Sequence, residues 1–134
     1  MSDLHDMRIK IQKAACKAFN RSNQTNACVQ EVRVGTTDHS YDLYEKGKVA
    51  GGVTTGTWKT SKGRNNTGAQ DHAISELLWL ELIQTVKRRV LILTDLQMVE
   101  GLLNRFQNAG FTKPIEIWHF NYRTRRICKK GLLQ

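Results

Sequence analysis

The chain has 134 residues, with 21 Lys and Arg against 12 Asp and Glu, and a formal net charge of +9. This length predicts a single domain over residues 1–134. An apolar fraction of 40% and a mean hydropathy of −0.49 exclude collagen, disordered and disulfide-scaffold classes. No apolar run reaches the roughly 18 residues of a membrane span, so no membrane partner is expected. The excess of positive charge favours a polyanionic partner, most simply a nucleic acid.

The cysteines and the first residues of the chain predict a cytoplasmic protein. Cys16, Cys28 and Cys128 are odd in number and contain no C-x-x-C pair, which argues against a zinc finger. We expect reduced thiols, as in cytosolic proteins. The first residues lack the basic and apolar regions of a signal peptide. Whether the protein is a monomer or a homodimer is left open by the sequence.

The first predicted element is a basic amphipathic helix over residues 3–20. Its apolar residues recur at intervals of three and four and share one face, while its cations lie mostly off that face. Such a helix could lie on phosphates or on a membrane. We favour a helix that packs on the domain and leaves its basic face in solvent.

A β region follows, for which three antiparallel strands joined by tight turns are the simplest arrangement. Alternation with period two predicts a first strand from residue 29, and Gly51 and Gly52 in the second indicate a close backbone approach or a bulge. The alternation covers residues 29–34. A turn over 45–48 joins residues 41–44 to the strand over 49–57, and residues 57–60 would start the third strand.

The second half of the chain alternates helices and strands. We predict helices over residues 70–86 and 97–108, a doubly buried strand over 90–94, a last strand over 115–120, and a basic tail over 123–130. Lys87, Arg88 and Arg89 would close the first of these helices, since cations suit a helix C-terminus. The order predicts an α/β protein with a mixed sheet of five strands and helices on its faces.

Three carboxylates fall where sites form in such a sheet. Asp38 follows the first strand, Asp95 follows the buried strand, and Glu76 lies on the helix between the second strand of the region and the buried one. Each residue also has an ordinary interpretation: a turn residue, a helix N-cap and a solvated helix charge, respectively.

Three segments resemble the ribonuclease H family. Residues 37–40 (T-D-H-S), with A-G-G-V at 50–53, look like its first-strand aspartate and Gly-rich second strand. Residues 75–80 look like its glutamate-led helix, and 94–99 look like its T-D-x-Q-x-V segment. The resemblance covers residues 29 to about 122. It implies a ribonuclease H-like mixed five-stranded sheet flanked by helices, with residues 1–26 as an N-terminal helical extension of a 27–134 core.

The resemblance also implies an activity: a metal-dependent endonuclease that hydrolyses phosphodiester bonds, expected in the RNA strand of RNA–DNA hybrids. Asp38 would bridge two Mg²⁺ or Mn²⁺ ions, while Glu76 and Asp95 would each bind one and help to orient the attacking water. The basic surface would hold the substrate's phosphates, and contacts to the 2′-OH would select the hybrid.

Further site residues are expected around these acids. The family's last helix and its aspartate have no counterpart here, and His119 is the candidate substitute as a metal ligand or proton shuttle. His39 follows Asp38 where the family usually has glycine. The predicted substrate-binding residues are Asn65, Asn66, Gln97, Arg123, Arg125 and Arg126.

Two alternatives stay open. The chain could be a non-catalytic ribonuclease H-like module that binds a nucleic acid or a protein. It could also be a resolvase-like or transposase-like DNA nuclease, which shares the fold and the acids.

Overall fold

The computed structural model describes residues 3–134, which contain six strands and three helices. In chain order they are α1 (Asp3–Asn23), β1 (Cys28–Val34), β2 (Thr37–Glu45), β3 (Val49–Thr54), α2 (Thr67–Leu82), β4 (Arg88–Leu93), α3 (Leu96–Phe106), β5 (Ile115–Asn121) and β6 (Arg126–Leu133). The predicted α/β class and mixed sheet are confirmed. The predicted number of five strands is wrong, and the ribonuclease H-like arrangement itself stays a prediction.

The strands lie side by side in their order along the chain. β1, β2 and β3 form an antiparallel meander, β3, β4 and β5 are parallel, and β6 returns antiparallel to β5. The parallel steps are crossovers through α2 and α3, as parallel strands require. No helix within residues 3–134 is long and apolar enough to cross a lipid bilayer.

The sixth strand was hidden in the predicted basic tail. Along β6 only Ile127, Gly131 and Leu133 turn away from solvent, and the exposed positions carry most of the cations. Charged side chains are common on edge strands, where they discourage pairing with other chains. The strand predicted at 57–60 is also wrong, because that segment makes only an isolated bridge between Lys59 and Asn65.

The helices divide between the two faces of the sheet. α2 and α3 cover one face, in a core that includes Leu77, Leu91 and Leu102. α1 covers the opposite face, where Ala15 and Phe19 are fully buried. The preferred interpretation of α1 as a helix packed on the domain is therefore confirmed, because its apolar stripe is used in the core.

A buried arginine ends α2 in an unexpected way. The helix stops at Leu82, four residues before the predicted end, and Arg88 and Arg89 belong to β4. The Arg89 guanidinium, 2% exposed, donates hydrogen bonds to the carbonyls of Leu80, Ile83 and Val86. The cation thus satisfies the C-terminal carbonyls of α2 from the neighbouring strand.

Candidate active site

The sheet opens between β2 and β3, and Asp42 lies in the opening. The two strands pair only where Leu43 to Glu45 face Val49 to Gly51, after which β2 stays with β1 and β3 stays with β4. Asp42 Oδ2 accepts a hydrogen bond of 2.8 Å from the backbone N–H of Val53. The carboxylate therefore takes the place of the missing strand partner, at the point where the sheet divides.

Glu76 reaches the same opening from α2. A Cβ atom at Gly52 would lie 2.9 Å from Glu76 Oε2, so the carboxylate rests against backbone that has no side chain. The Glu76 side chain is only 14% exposed. The sequence-predicted close approach at the glycine pair is thus real. Gly51 lies against the backbone of β4, and the absence of a side chain at Gly52 leaves room for the Glu76 carboxylate.

Both carboxylates are destabilised in their charged form. Burial and the nearby charge of Asp42 raise the pKa of Glu76 to about 7. Burial also raises the pKa of Asp42, although the Val53 N–H and the His72 imidazole partly oppose the effect. No Lys or Arg of residues 3–134 forms an ion pair with either residue. Two partly buried acids with no internal cation favour a bound proton or a bound cation.

Two histidines flank Glu76. His72 Nε2 lies 3.9 Å from Glu76 Oε1, one turn earlier on α2, and its side chain is exposed. His39 Nε2 lies 3.7 Å from Glu76 Oε2, while its ring stacks on Trp79 at a centroid distance of 4.3 Å. Burial lowers the pKa of His39, and its Nε2 makes no hydrogen bond with the described part of the chain. A neutral His39 therefore packs beside Glu76 without neutralising it.

Asp42 lines a cavity of about 510 Å³ against α1, and a separate open cleft of about 790 Å³ is lined by its hydrogen-bond partner Val53 and by His72. Its walls are the first turns of α1, the end of β3 and the first turn of α2, including Thr54, Asn66 and His72. Thr54 is 3% exposed, and its hydroxyl has no hydrogen-bond partner among residues 3–134. Buried hydroxyls are normally paired, so this one is an unsatisfied polar group in the cleft wall.

Of the three acids predicted as ligands, only Glu76 lies at this opening. Asp38 sits beside the β1–β2 turn, is 44% exposed, and pairs with Arg33 at 2.8 Å. Asp95 Oδ2 accepts hydrogen bonds from the backbone N–H groups of Trp58 and Met98, which makes it the N-cap of α3. Within residues 3–134 no three or more His, Cys, Asp or Glu side chains gather as a metal-holding group. The structure therefore does not bring the predicted acids together.

The other predicted site residues are dispersed. His119 is half-buried on β5 between Leu93 and Cys128. Asn66 caps α2, Asn65 accepts a hydrogen bond from Lys59, and Gln97 is exposed at the start of α3. The remaining predicted contacts are exposed around the β5–β6 turn: Arg123, Arg125 and Arg126. Of these seven, only Asn66 lines the cleft described above.

Asp42 and Thr54 are the residues that sequence reasoning missed. Asp42 interrupts an apolar run, between Tyr41 and Leu43, in a segment predicted to be β-structure. An acid inside such a run is costly to bury, and that cost was the available signal. Thr54 gave no signal, because threonine is common in strands.

No family model, curated protein or solved structure matches this chain. Only the chemistry of the site itself therefore indicates what the protein does.

Proposed function

We propose that the protein is a divalent-cation-dependent hydrolase of phosphodiester bonds in nucleic acids, with Asp42 and Glu76 as its central carboxylates. The observation that carries the proposal is the pair itself. Two partly buried acids lie close enough at a break in the sheet for the charge of Asp42 to raise the pKa of Glu76, and no Lys or Arg of residues 3–134 forms an ion pair with either of them. Perturbed pKa values in a cleft are typical of functional sites.

The donor set fits a hard cation with open positions. Asp42 keeps Oδ1 free of the Val53 hydrogen bond, and the charged or polar neighbours of the Glu76 oxygens are His39 and His72, at 3.7 and 3.9 Å. Mg²⁺ is commonly held by one or two carboxylates, with waters and substrate phosphates as the other ligands. Within residues 3–134 no third acid joins these two in a metal-holding group, and this mode of binding does not require one. When bound, Mg²⁺ or Mn²⁺ would supply a Lewis acid for the phosphoryl oxygens.

The side chains of the chain can then move the protons of hydrolysis. Glu76, with its pKa raised to about 7, accepts a proton from the attacking water near neutral pH. As water oxygen bonds to phosphorus, the bond from phosphorus to the leaving oxygen breaks. His72, exposed at the cleft, is the group that supplies a proton to that oxygen.

The substrate class follows from the charge and from the resemblance to ribonuclease H. A net charge of +9 suits a polyanion. The resemblance makes the RNA strand of an RNA–DNA hybrid the first substrate to examine, and duplex DNA the second, as for a resolvase-like or transposase-like enzyme.

The test is a cleavage assay with a labelled hybrid, single-stranded RNA and duplex DNA, each with Mg²⁺, Mn²⁺ or EDTA. We expect cleavage that needs the metal and is lost, by roughly 100-fold or more, in Asp42→Asn and Glu76→Gln. Asp38→Asn is the matched control, since it neutralises an acid four residues away on the same strand. If Asp38→Asn lost cleavage activity while Asp42→Asn kept it, the acid of the site would be Asp38, as the resemblance implied.

A second candidate is a non-catalytic nucleic-acid-binding module. It is favoured by the lack, within residues 3–134, of a metal-holding group of three or more side chains. Tight binding of the same substrates without cleavage under either metal would select this function and reject the hydrolase.

A further inference from the structure

A second concave surface lies on the other flank of α1, away from the carboxylates. It is a groove of about 370 Å³ between the last turns of α1 and the region around the β5–β6 turn. We call it the α1–β6 groove. Its lining residues are Ala14, Lys17, Ala18, Arg21, Ser22, Arg125 and Ile127.

The groove is strongly basic and contains no acid. Lys17, Arg21 and Arg125 supply its charge, and the other lining residues are small, apolar or hydroxylated. Neither Lys17 nor Arg21 forms an ion pair with an acidic side chain of residues 3–134. Three cations around one concavity repel each other, and a bound anion relieves that repulsion.

Arg125 is held in a defined position. Its guanidinium lies 3.7 Å from the centre of the Tyr122 ring and donates a hydrogen bond to the Tyr122 carbonyl. The residue has a φ of 63°, so the turn itself aims the side chain. A guanidinium restrained in this way retains N–H donors for a phosphate and loses less conformational entropy on binding.

We propose that the α1–β6 groove binds the phosphates of a nucleic-acid backbone. Lys17 and Arg21 are one helical turn apart, about 6 Å along α1. That spacing is close to the axial rise of two nucleotides, at about 3.4 Å each. Arg125 approaches from the opposite wall and completes a cationic channel.

The packing of α1 favours nucleic acid over a membrane. A helix that lies on a bilayer inserts its apolar face into the lipid. In the half of α1 that lines the groove, the apolar residues Ala15 and Phe19 are fully buried against the sheet, and the exposed Leu4 and Met7 lie at the opposite end of the helix. Phe19 also packs edge-on against Trp118, with ring centroids 5.3 Å apart. The groove therefore offers charge and shape to a ligand, but no free apolar face.

The same helix also reaches the catalytic cleft. Arg8 of α1 lines that cleft, and Arg21 lines the groove. Thirteen residues of helix separate them, about 20 Å, which matches roughly six base pairs of a duplex. The nature of the ligand rests on the proposed function, whereas the groove as an anion site does not.

The experiment compares two double charge reversals on one helix. Lys17→Glu with Arg21→Glu alters the groove, while Lys10→Glu with Lys13→Glu makes the same change of charge on α1 residues outside the groove lining. Binding of a fluorescent duplex of about 20 base pairs, as DNA and as RNA–DNA hybrid, is measured by anisotropy in EDTA. Anionic phosphatidylserine vesicles form a separate arm.

We expect the groove variant to weaken duplex binding by roughly 10-fold or more, and its salt dependence to fall by about two counterions. The control variant should bind within about 3-fold of the parent. Equal losses in both variants would show a diffuse charge effect and overturn the proposal. Binding only to vesicles would overturn it in favour of a membrane.

The two proposals can fail separately. Duplex binding in EDTA does not depend on Asp42 or Glu76, so Asp42→Asn should retain it. If the protein binds the duplex but does not cleave it, the hydrolase proposal is rejected and the groove proposal stands. If the groove variant cleaves with unchanged KM and kcat, only the groove proposal is rejected.

Discussion

Glu76 and Glu116 are buried to a similar extent, but the chain treats them in opposite ways. Their side chains are 14% and 11% exposed. Glu116 accepts hydrogen bonds of 2.9 and 2.8 Å from Arg88 and one of 3.0 Å from Trp118 Nε1. Burial alone would raise the pKa of Glu116, but these hydrogen bonds and the charges of Arg88 and Lys129 bring it below its ordinary value. The Glu76 pKa is instead raised to about 7.

The difference separates an acid that the fold neutralises from the acid that we propose to be functional. Glu116 joins β5 to β4 through Arg88, which also donates a hydrogen bond to Asn23 at the end of α1. Its charge is neutralised within the fold. Glu76 lies near a second acid, Asp42, so ionising Glu76 near neutral pH lowers the stability of the folded protein. Such groups are retained where binding or catalysis uses them.

The largest expected effect is on activity. Glu76→Gln should reduce cleavage of the best substrate by roughly 100-fold or more, because it removes a proton acceptor and a cation ligand. Glu116→Gln should stay within about 3-fold of the parent once the folded fraction is matched by circular dichroism. If the two variants lose activity equally, the assignment of Glu76 as the functional acid is wrong.

Stability should respond in the reverse order. Glu116→Gln leaves the Arg88 guanidinium without its charged partner and should lower the free energy of unfolding by about 3 kcal/mol in urea titrations at neutral pH. Glu76→Gln should instead leave stability unchanged or raise it, because it removes a charge that burial disfavours. A destabilised Glu76→Gln protein would contradict the comparison.

The pH dependence gives a third contrast. The folded-state pKa of Glu76, about 7, lies above its ordinary 4.5, so the folded protein binds more protons in this window. Its contribution to stability is therefore full below about pH 4.5 and is lost as the pH rises through 7. Thermal unfolding at a series of pH values should show the free energy of unfolding falling by about 3 kcal/mol across this window, and Glu76→Gln should remove that decline.

A divalent cation sharpens the same measurement. Above the Glu76 pKa, Mn²⁺ should raise the melting temperature of the parent, because it binds the ionised pair in the folded state. Asp42→Asn should lose this shift and Asp38→Asn should keep it. An identical shift in all three proteins would place the cation elsewhere.

The adjacent glycines provide a smaller effect. A Cβ at Gly51 would lie 2.8 Å from the Val90 backbone oxygen, so Gly51→Ala should cost about 2 kcal/mol of stability. A Cβ at Gly52 meets only the movable end of Glu76, so Gly52→Ala should retain the fold. We expect the displaced carboxylate to reduce cleavage by roughly 10-fold. Reversed outcomes would show that Gly52 serves packing.

Much of the fold was predictable because it follows from local patterns. The spacing of apolar residues predicted α1 and α3 within a few residues of their observed ends, and the continuous apolar run predicted β4. The sixth strand was not predictable in this way, because the cations of an edge strand mask its alternation. The end of α2 was also missed, since its closing cation comes from another element.

The candidate site was only half predictable. Glu76 was singled out from its position on a helix between two strands. The first-strand acid was assigned to Asp38, because a carboxylate at a strand end resembles a known motif. The structure instead brings Asp42 toward Glu76, and four residues along a strand are enough to exchange an exposed ion pair for a buried acid.

By itself the sequence determined the α/β class, the basic charge and the helices, because these depend on composition and on the spacing of neighbouring residues. Only the tertiary structure decided which acids meet, where the sheet divides and which cations line one groove. Those features depend on residues far apart in the sequence, such as Asp42 and Val53, which share a hydrogen bond, or Lys17 and Arg125, which line one groove, and no local periodicity records them.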